Sequence, residues 1–310
     1  MKPIIIKPKS HEEWLKARDA GVGASEVAAV LGLSPWDTPF SLWLRKTHQV
    51  PPTEETDAMR RGHYLEDAVV QWWMHETGEQ VIKASAADII YVHPEHPYMR
   101  VTPDRIVKGR KKILEVKSTS ISMGDTIPDY YLAQVMYQMY VTGIHEAELI
   151  YIQVGLTFGR FIVEYDEEFA NFIASEVQKF WIENVLGGKE PEAINVADLA
   201  VKVPKSTPEK SVQADTTAID QINVLREKKA MYDALGVEIA DLQDSLKMYM
   251  ADSEAILDDT GTVLITWKSG KDKTSFDSKT FAAENPDLYA KYCRTVPGSR
   301  SFIIKKQKEK

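Results

Sequence analysis

The stretch Ile113-Leu114-Glu115-Val116-Lys117 constrains this chain more than any other. It reads as an apolar β-strand, yet it carries a glutamate and a lysine two residues apart. Alternate strand residues share a face, so Glu115 and Lys117 project together while Leu114 and Val116 point the other way. Just upstream, Ile106-Val107 and Lys112–Leu114 flank the turn-like Lys108-Gly109-Arg110-Lys111. A two-residue Gly109-Arg110 loop sets Asp104 directly opposite Glu115. Directly opposed strand residues have Cβ atoms about 4.5–5.5 Å apart. Two carboxylates held so close destabilise a sheet unless a cation lies between them. Hard oxygen ligands favour magnesium, with manganese as a substitute, over zinc.

The acid-x-Lys pattern is weak by itself, because it occurs twice more. Glu227-Lys228-Lys229 lies in a charged helical stretch and suits a solvated face. Asp277-Ser278-Lys279 suits a helix start, with Asp277 or Ser278 as the cap. Only the first copy sits in an apolar strand. His93 and His96 form a rival ligand pair, but the proline-rich His93-Pro94-Glu95-His96-Pro97 reads as a turn between strands. Cys293 is the sole cysteine, which excludes an intrachain disulfide and a cysteine-based zinc site.

Around this strand, helical and strand patterns alternate. Leu65, Ala68, Val69, Trp72 and Trp73 recur at helical spacing, with Gly78 to end the helix. Strands are expected near Gln80–Ile82, Ile89–Val92, Met99–Val107 and Lys112–Ser118, then a helix from Tyr130 to Val141 closed by Gly143. Strands around Glu148–Val154 and Arg160–Tyr165 and a helix from Asp166 to Leu186 follow. This order predicts an α/β (α+β) mixed sheet with helices on its faces. Residues 1–195 are the expected core, 196–217 a linker, and 218–310 an extension. In the extension, Leu225, Tyr232, Leu235, Ile239, Leu242, Leu246 and Tyr249 mark a long amphipathic helix. A small module is expected after it, with a strand at Val263–Lys268, a helix near Ser278–Glu284 and a strand at Ser301–Lys305.

At 44% apolar and 27% charged, the composition is that of a globular protein. The apolar runs are too short for a membrane span, and Met1–Ser10 lacks a secretory layout. A cytoplasmic setting without a membrane partner is therefore expected. A net charge of −8 argues against nucleic acid unless a basic channel lies inside an acidic shell. Lys108–Lys112 and Arg60-Arg61 leave room for such a channel.

Pro103-Asp104 followed by Glu115-Val116-Lys117 resembles the signature of the PD-(D/E)XK nuclease superfamily. Three further segments are similar to the lambda exonuclease-like, YqaJ-type phage recombination nucleases. These are Trp14 and Arg18 with Gly21-Val22-Gly23-Ala24-Ser25-Glu26; Arg61-Gly62-His63-Tyr64-Leu65-Glu66-Asp67; and Tyr131 through Gln134 and Gln138 to Val141. The likeness covers roughly the first 190 residues and implies a restriction-endonuclease-like core. It implies that Asp104, Glu115 and the Val116 carbonyl hold Mg2+, with Glu66 assisting. Lys117 would activate or position the attacking water, and Gln134 would sit beside the nucleophile or the site's backbone. Arg18, Ser25 and Thr102 would anchor a phosphate at a DNA end.

The activity so implied is a 5′→3′ double-strand DNA exonuclease, releasing mononucleotides and leaving a 3′ single-stranded tail. Its partners would be double-stranded DNA ends and a phage-type single-strand annealing protein, in a bacterial cell carrying a phage or prophage. A toroidal homotrimer is also implied, its channel lined by residues such as Arg60, Arg105 or Lys112. Other readings are an endonuclease or single-strand nuclease on the same fold, or a non-catalytic DNA-binding or scaffold protein. The extension is a candidate contact for the annealing partner.

Overall fold

The structure is a computed structural model describing residues 2–51, 55–83, 89–296 and 298–305. The chain divides into two compact units, Met1–Lys202 and Val203–Lys310. The first begins with β1 (Ile4–Ile6) and α1 (His11–Asp19), then a short turn of helix at Ala24–Glu26 that runs into α2 (Val27–Val30). Next come α3 (Pro39–Lys46), α4 (Asp57–Thr77), β2 (Val81–Lys83), β3 (Ile90–Val92), β4 (Arg100–Val101), β5 (Arg105–Val107) and β6 (Lys112–Ser118). The unit closes with α5 (Asp129–Thr142), β7 (Glu146–Gln153), β8 (Thr157–Glu164), α6 (Glu167–Lys179) and α7 (Val196–Lys202). A π-helical segment, Phe180–Leu186, prolongs α6.

The helices start and stop where the sequence provides caps. Thr56 accepts from the Met59 N–H at the start of α4, and Gly78, in the left-handed region at φ 71°, ends it. Gly143 at φ 67° ends α5 in the same way. The central sheet has the order β2-β5-β6-β7-β8, with β6 and β7 parallel and every other pair antiparallel. Because β6 and β7 are parallel, α5 crosses from the end of one to the start of the other. On one face, Ile113, Leu149 and Tyr151 pack with α2, α5 and α6; on the other, Leu114, Ile150 and Ile152 pack with Val69, Val70 and Trp73 of α4.

The expected continuous strand over Met99–Val107 is broken. β4 joins β3 and β1 in a separate three-stranded sheet, while β5 belongs to the central one. Pro103 stands at the break, where it offers no N–H to a ladder. β1 had no counterpart in the sequence reading. Gly21 lies against this smaller sheet: Val22 N–H donates to the Tyr98 carbonyl at 2.7 Å, and a Cβ on Gly21 would stand 2.2 Å from that oxygen. Only glycine fits there.

Residues 196–202, assigned by composition to a linker, form α7. Its Asp198 is buried and accepts from the Thr38 hydroxyl at 2.8 Å, which ties the segment to the first unit. The second unit holds α8 (Thr216–Met250), β9 (Ala255–Leu257), β10 (Val263–Thr266), α9 (Ser278–Glu284) and α10 (Pro286–Tyr292). Asp277 caps α9, and Glu227-Lys228-Lys229 lies exposed on α8. β10 is shorter than expected and pairs with β9, which sequence patterning missed. Residues 301–305 form no strand. Among the described residues, no helix is long and apolar enough to cross a membrane.

Candidate active site

The β5–β6 hairpin has the register its loop dictates. Arg105 faces Leu114 and Ile106 faces Ile113, so continuing one step brings Asp104 to Glu115. Glu115 and Lys117 point to the α5 face of the sheet, opposite to Leu114, which packs on α4. The Asp104 chain has left the ladder, and its Oδ2 accepts the Val116 N–H at 2.8 Å. One acid thus replaces a strand partner, and its other oxygen, Oδ1, has no hydrogen-bond partner among the described residues.

Helix α5 supplies the rest of the cluster. Gln134 and Gln138 are one turn apart and face the same way. Gln134 uses both ends of its amide: its oxygen accepts from Lys117 Nζ at 2.9 Å and its nitrogen donates to Glu115 Oε1. Gln138 Nε2 donates to Glu115 Oε2 at 2.7 Å. Lys117 Nζ also donates to Glu115 Oε1 at 2.6 Å and lies 5.0 Å from the Tyr131 ring centroid. Glu115 is 2% exposed, so these donors offset the cost of holding its charge away from water.

The electrostatics of the pair follow from this crowding. Burial pushes the Asp104 carboxyl well above the usual carboxylate range, and Glu115 and Glu66 push the same way, against Lys117 and the Val116 N–H. Burial works against the Lys117 ammonium, but Glu115 and Asp104 outweigh it and hold its pKa above the ordinary lysine value.

Glu66, on α4, is held by Arg105, whose Nη1 reaches Glu66 Oε1 and the Asp104 carbonyl while Nη2 reaches Asp67 at 2.7 Å. At Gly62 α4 passes close to the end of β6, where a Cβ would make an ordinary contact with Ser118 Oγ at 3.7 Å. The structure therefore brings Asp104, Glu115, Lys117 and Gln134 together at the open end of the hairpin, with Glu66 joined to them through Arg105. Gln138 and Tyr131 join them, and sequence reasoning gave neither a role. Gln138 was legible as sharing a helix face with Gln134, but nothing in the sequence marks that face as buried.

Arg18 and Ser25 meet each other. Arg18 Nη2 donates to Ser25 Oγ at 2.9 Å, and its guanidinium lies 5.2 Å from the Trp14 ring centroid. Among the described residues, neither is bonded to the carboxylate cluster. Thr102 is half-buried, and its hydroxyl makes no hydrogen bond among those residues. Two of the three expected channel residues need correction. Arg105 is 2% exposed and neutralised by acids, and Lys112 is spent on Glu148 at 2.7 Å. Arg60 is exposed and pairs with Asp57. His93 is buried and stacks on His96 and Tyr140, with its Nδ1 accepting the N–H groups of Glu95 and His96, so the histidine pair is part of the turn's packing.

For a divalent cation the donor chemistry fits. Glu115 Oε2 accepts a single bond and Asp104 Oδ1 none, which leaves both with lone pairs to give. No group of three or more histidine, cysteine or acid side chains is gathered as an ion cage among the described residues. Two carboxylates, supplemented by a main-chain carbonyl and water, are then the available set.

A family model described as the YqaJ-like viral recombinase domain matches residues 13–145. The YqaJ protein of Bacillus subtilis (strain 168) is 31% identical over 295 residues, spanning 91% of this chain and 90% of that protein. Among solved structures, an alkaline exonuclease (LHK-Exo) from Laribacter hongkongensis aligns with a TM-score of 0.46 at 24% identity, over 56% of this chain and 91% of its own. Its complex with dAMP aligns at 0.48 and 22% identity, over 62% and 97%.

Proposed function

The chain belongs to the YqaJ-like viral recombinase family, and from that premise we propose that it is a magnesium-dependent DNA exonuclease of phage recombination. The single observation that carries this reading is the convergence of Asp104, Glu115 and Lys117, with Gln134 bonded to both Glu115 and Lys117 and the Val116 N–H holding Asp104. Phosphodiester hydrolysis needs a water made nucleophilic at neutral pH and relief of charge on the transition state. A bound divalent ion supplies both kinds of help. Asp104 Oδ1, Glu115 Oε2 and the Val116 carbonyl are the groups that would hold it, with Glu66 behind them.

The chain's own contribution is positional and electrostatic. Lys117, charged and pinned by Glu115 and Gln134, presents a fixed ammonium to a water or a phosphate oxygen. Gln134 keeps that ammonium and the Glu115 carboxylate in one arrangement, so neither must reorganise during reaction. Arg105 fixes Glu66 and the Asp104 main chain, which holds the acids in mutual reach despite their repulsion.

The finer reading is 5′→3′ degradation of duplex ends to mononucleotides, leaving a 3′ tail for a single-strand annealing protein. It is supported by the Arg18–Ser25 pair, whose planar fork and hydroxyl suit two oxygens of a terminal phosphate. A homotrimer around the DNA belongs to the same reading. Sedimentation giving a monomer at working concentration would remove that element alone. The deciding experiment is hydrolysis of end-labelled duplexes, 5′-phosphorylated or not, beside covalently closed circles. Linear duplex should release mononucleotides only with magnesium or manganese, and closed circles should survive. Lys117→Ala should lower the rate by at least a hundredfold while the fold is retained; unchanged hydrolysis in that variant would reject the assignment.

A further inference from the structure

Trp36 is 72% exposed, an unusual position for the side chain with the most apolar surface to hide. It does not lie on a loose loop. Ser34 Oγ accepts the N–H groups of Trp36 and Asp37 at 3.2 and 3.1 Å, fixing the turn from below. Asp37 is clamped by both arms of Arg45 at 2.7 and 2.9 Å and accepts from the Ser41 hydroxyl. Thr38 and Ser41 then form a reciprocal cap on α3. The backbone is fixed on each side of an indole left in solvent.

The indole also has a definite neighbour. It meets Tyr130 edge to face, with centroids 5.3 Å apart. Tyr130 meets Tyr131 at 4.3 Å, and the Tyr131 ring lies 5.0 Å from Lys117 Nζ. An unbroken string of three aromatic rings thus runs from the charged end of the carboxylate cluster to an exposed face.

We propose that Trp36, backed by Tyr130, is a stacking platform for nucleobases of the DNA strand entering or leaving the Lys117 site. The proposal rests on the nuclease reading above and adds the element that holds bases rather than phosphates. Every base offers a flat π-face, so an exposed aromatic grips a strand without reading its sequence. A protein partner would also cover an exposed tryptophan. Continuity with Lys117 through two tyrosines is what favours nucleic acid, since a docking surface has no need to end at the half-buried ammonium of a carboxylate cluster.

The test uses the full chain and a 5′-phosphorylated duplex with a short single-stranded tail, with calcium replacing magnesium so that binding is read without turnover. Fluorescence anisotropy should show Trp36→Ala binding about tenfold more weakly than the unaltered protein, the scale of one base–aromatic stack. Trp36→Phe should recover most of that loss. Replacing the terminal nucleotides by abasic residues should erase the difference between the variants, because a platform without bases has nothing to hold. Equal binding by all three proteins on the natural end overturns the proposal and leaves Trp36 to a protein contact. An unaltered protein that binds with this pattern but does not cut with magnesium sinks the nuclease reading and spares the platform. No binding by any form overturns both.

Discussion

Glu148 shows how a single buried charge is held in this fold. It is 3% exposed on β7 and accepts from Lys112 Nζ at 2.7 Å, Trp73 Nε1 at 2.8 Å and Arg160 Nη1 at 3.4 Å. Burial raises its pKa, but the Lys112 and Trp73 hydrogen bonds and the two cations overcome that and leave it below the usual glutamate value. A carboxylate depressed in the folded state contributes stability that is present above its unfolded pKa. That stability is lost as pH falls through the folded value. Glu148→Gln should therefore lower neutral-pH stability by about 2 kcal/mol. It should also flatten the loss of stability on acidification below about pH 4.5. Urea unfolding at several pH values checks both; an equal slope in the two proteins would show that Glu148 is not the group responsible. Sequence gave no hint of this residue, because its partners come from three different elements.

At the scale of elements, α5 is the part that holds the acid and the lysine of β6 in one arrangement. It contributes Tyr131, Gln134 and Gln138 to one line along β6, and both glutamines end on Glu115. Gln138 touches no other part of the cluster, so Glu115 is the one member of it that this side chain holds. Gln138→Leu should keep the fold and lower the hydrolysis rate ten- to a hundredfold, the usual cost of losing a partner behind a ligand. The loss should shrink at high magnesium, which a purely structural defect would not do. Much of this scale was legible. The hairpin register follows from a two-residue loop, and the apolar spacing over Leu65–Trp73 and Tyr130–Val141, each with a terminal glycine, marks α4 and α5 although not where α4 begins. What was not legible depends on packing between elements: the break at Pro103 that sends β4 and β5 to different sheets, the burial of Arg105, and the pairing of Arg18 with Ser25. Each needs the distance between segments far apart in sequence, which periodicity does not carry.

At the scale of the molecule, the apolar interior is concentrated in the first unit. Both hydrophobic clusters lie within residues 22–185, while in the second unit Met250 is the one buried apolar residue among those described. Residues 1–202 should then fold alone with a single cooperative melt and keep magnesium-dependent hydrolysis. Circular dichroism and an end-labelled duplex assay check this, and a fragment that folds but does not cut would give the extension a part in the reaction. The hairpin that sets the site has a meaning for inheritance as well. Gly109 stands at φ 78° with nothing within 4 Å of an added Cβ, so the turn's surroundings leave room for a side chain although its backbone favours glycine. Losing one codon there is a different event: it shifts every upstream strand residue by one place and exchanges the two faces of the sheet. Mutation is free to respell much of this turn but not to shorten it, because the loop is the ruler that keeps one acid across from the other.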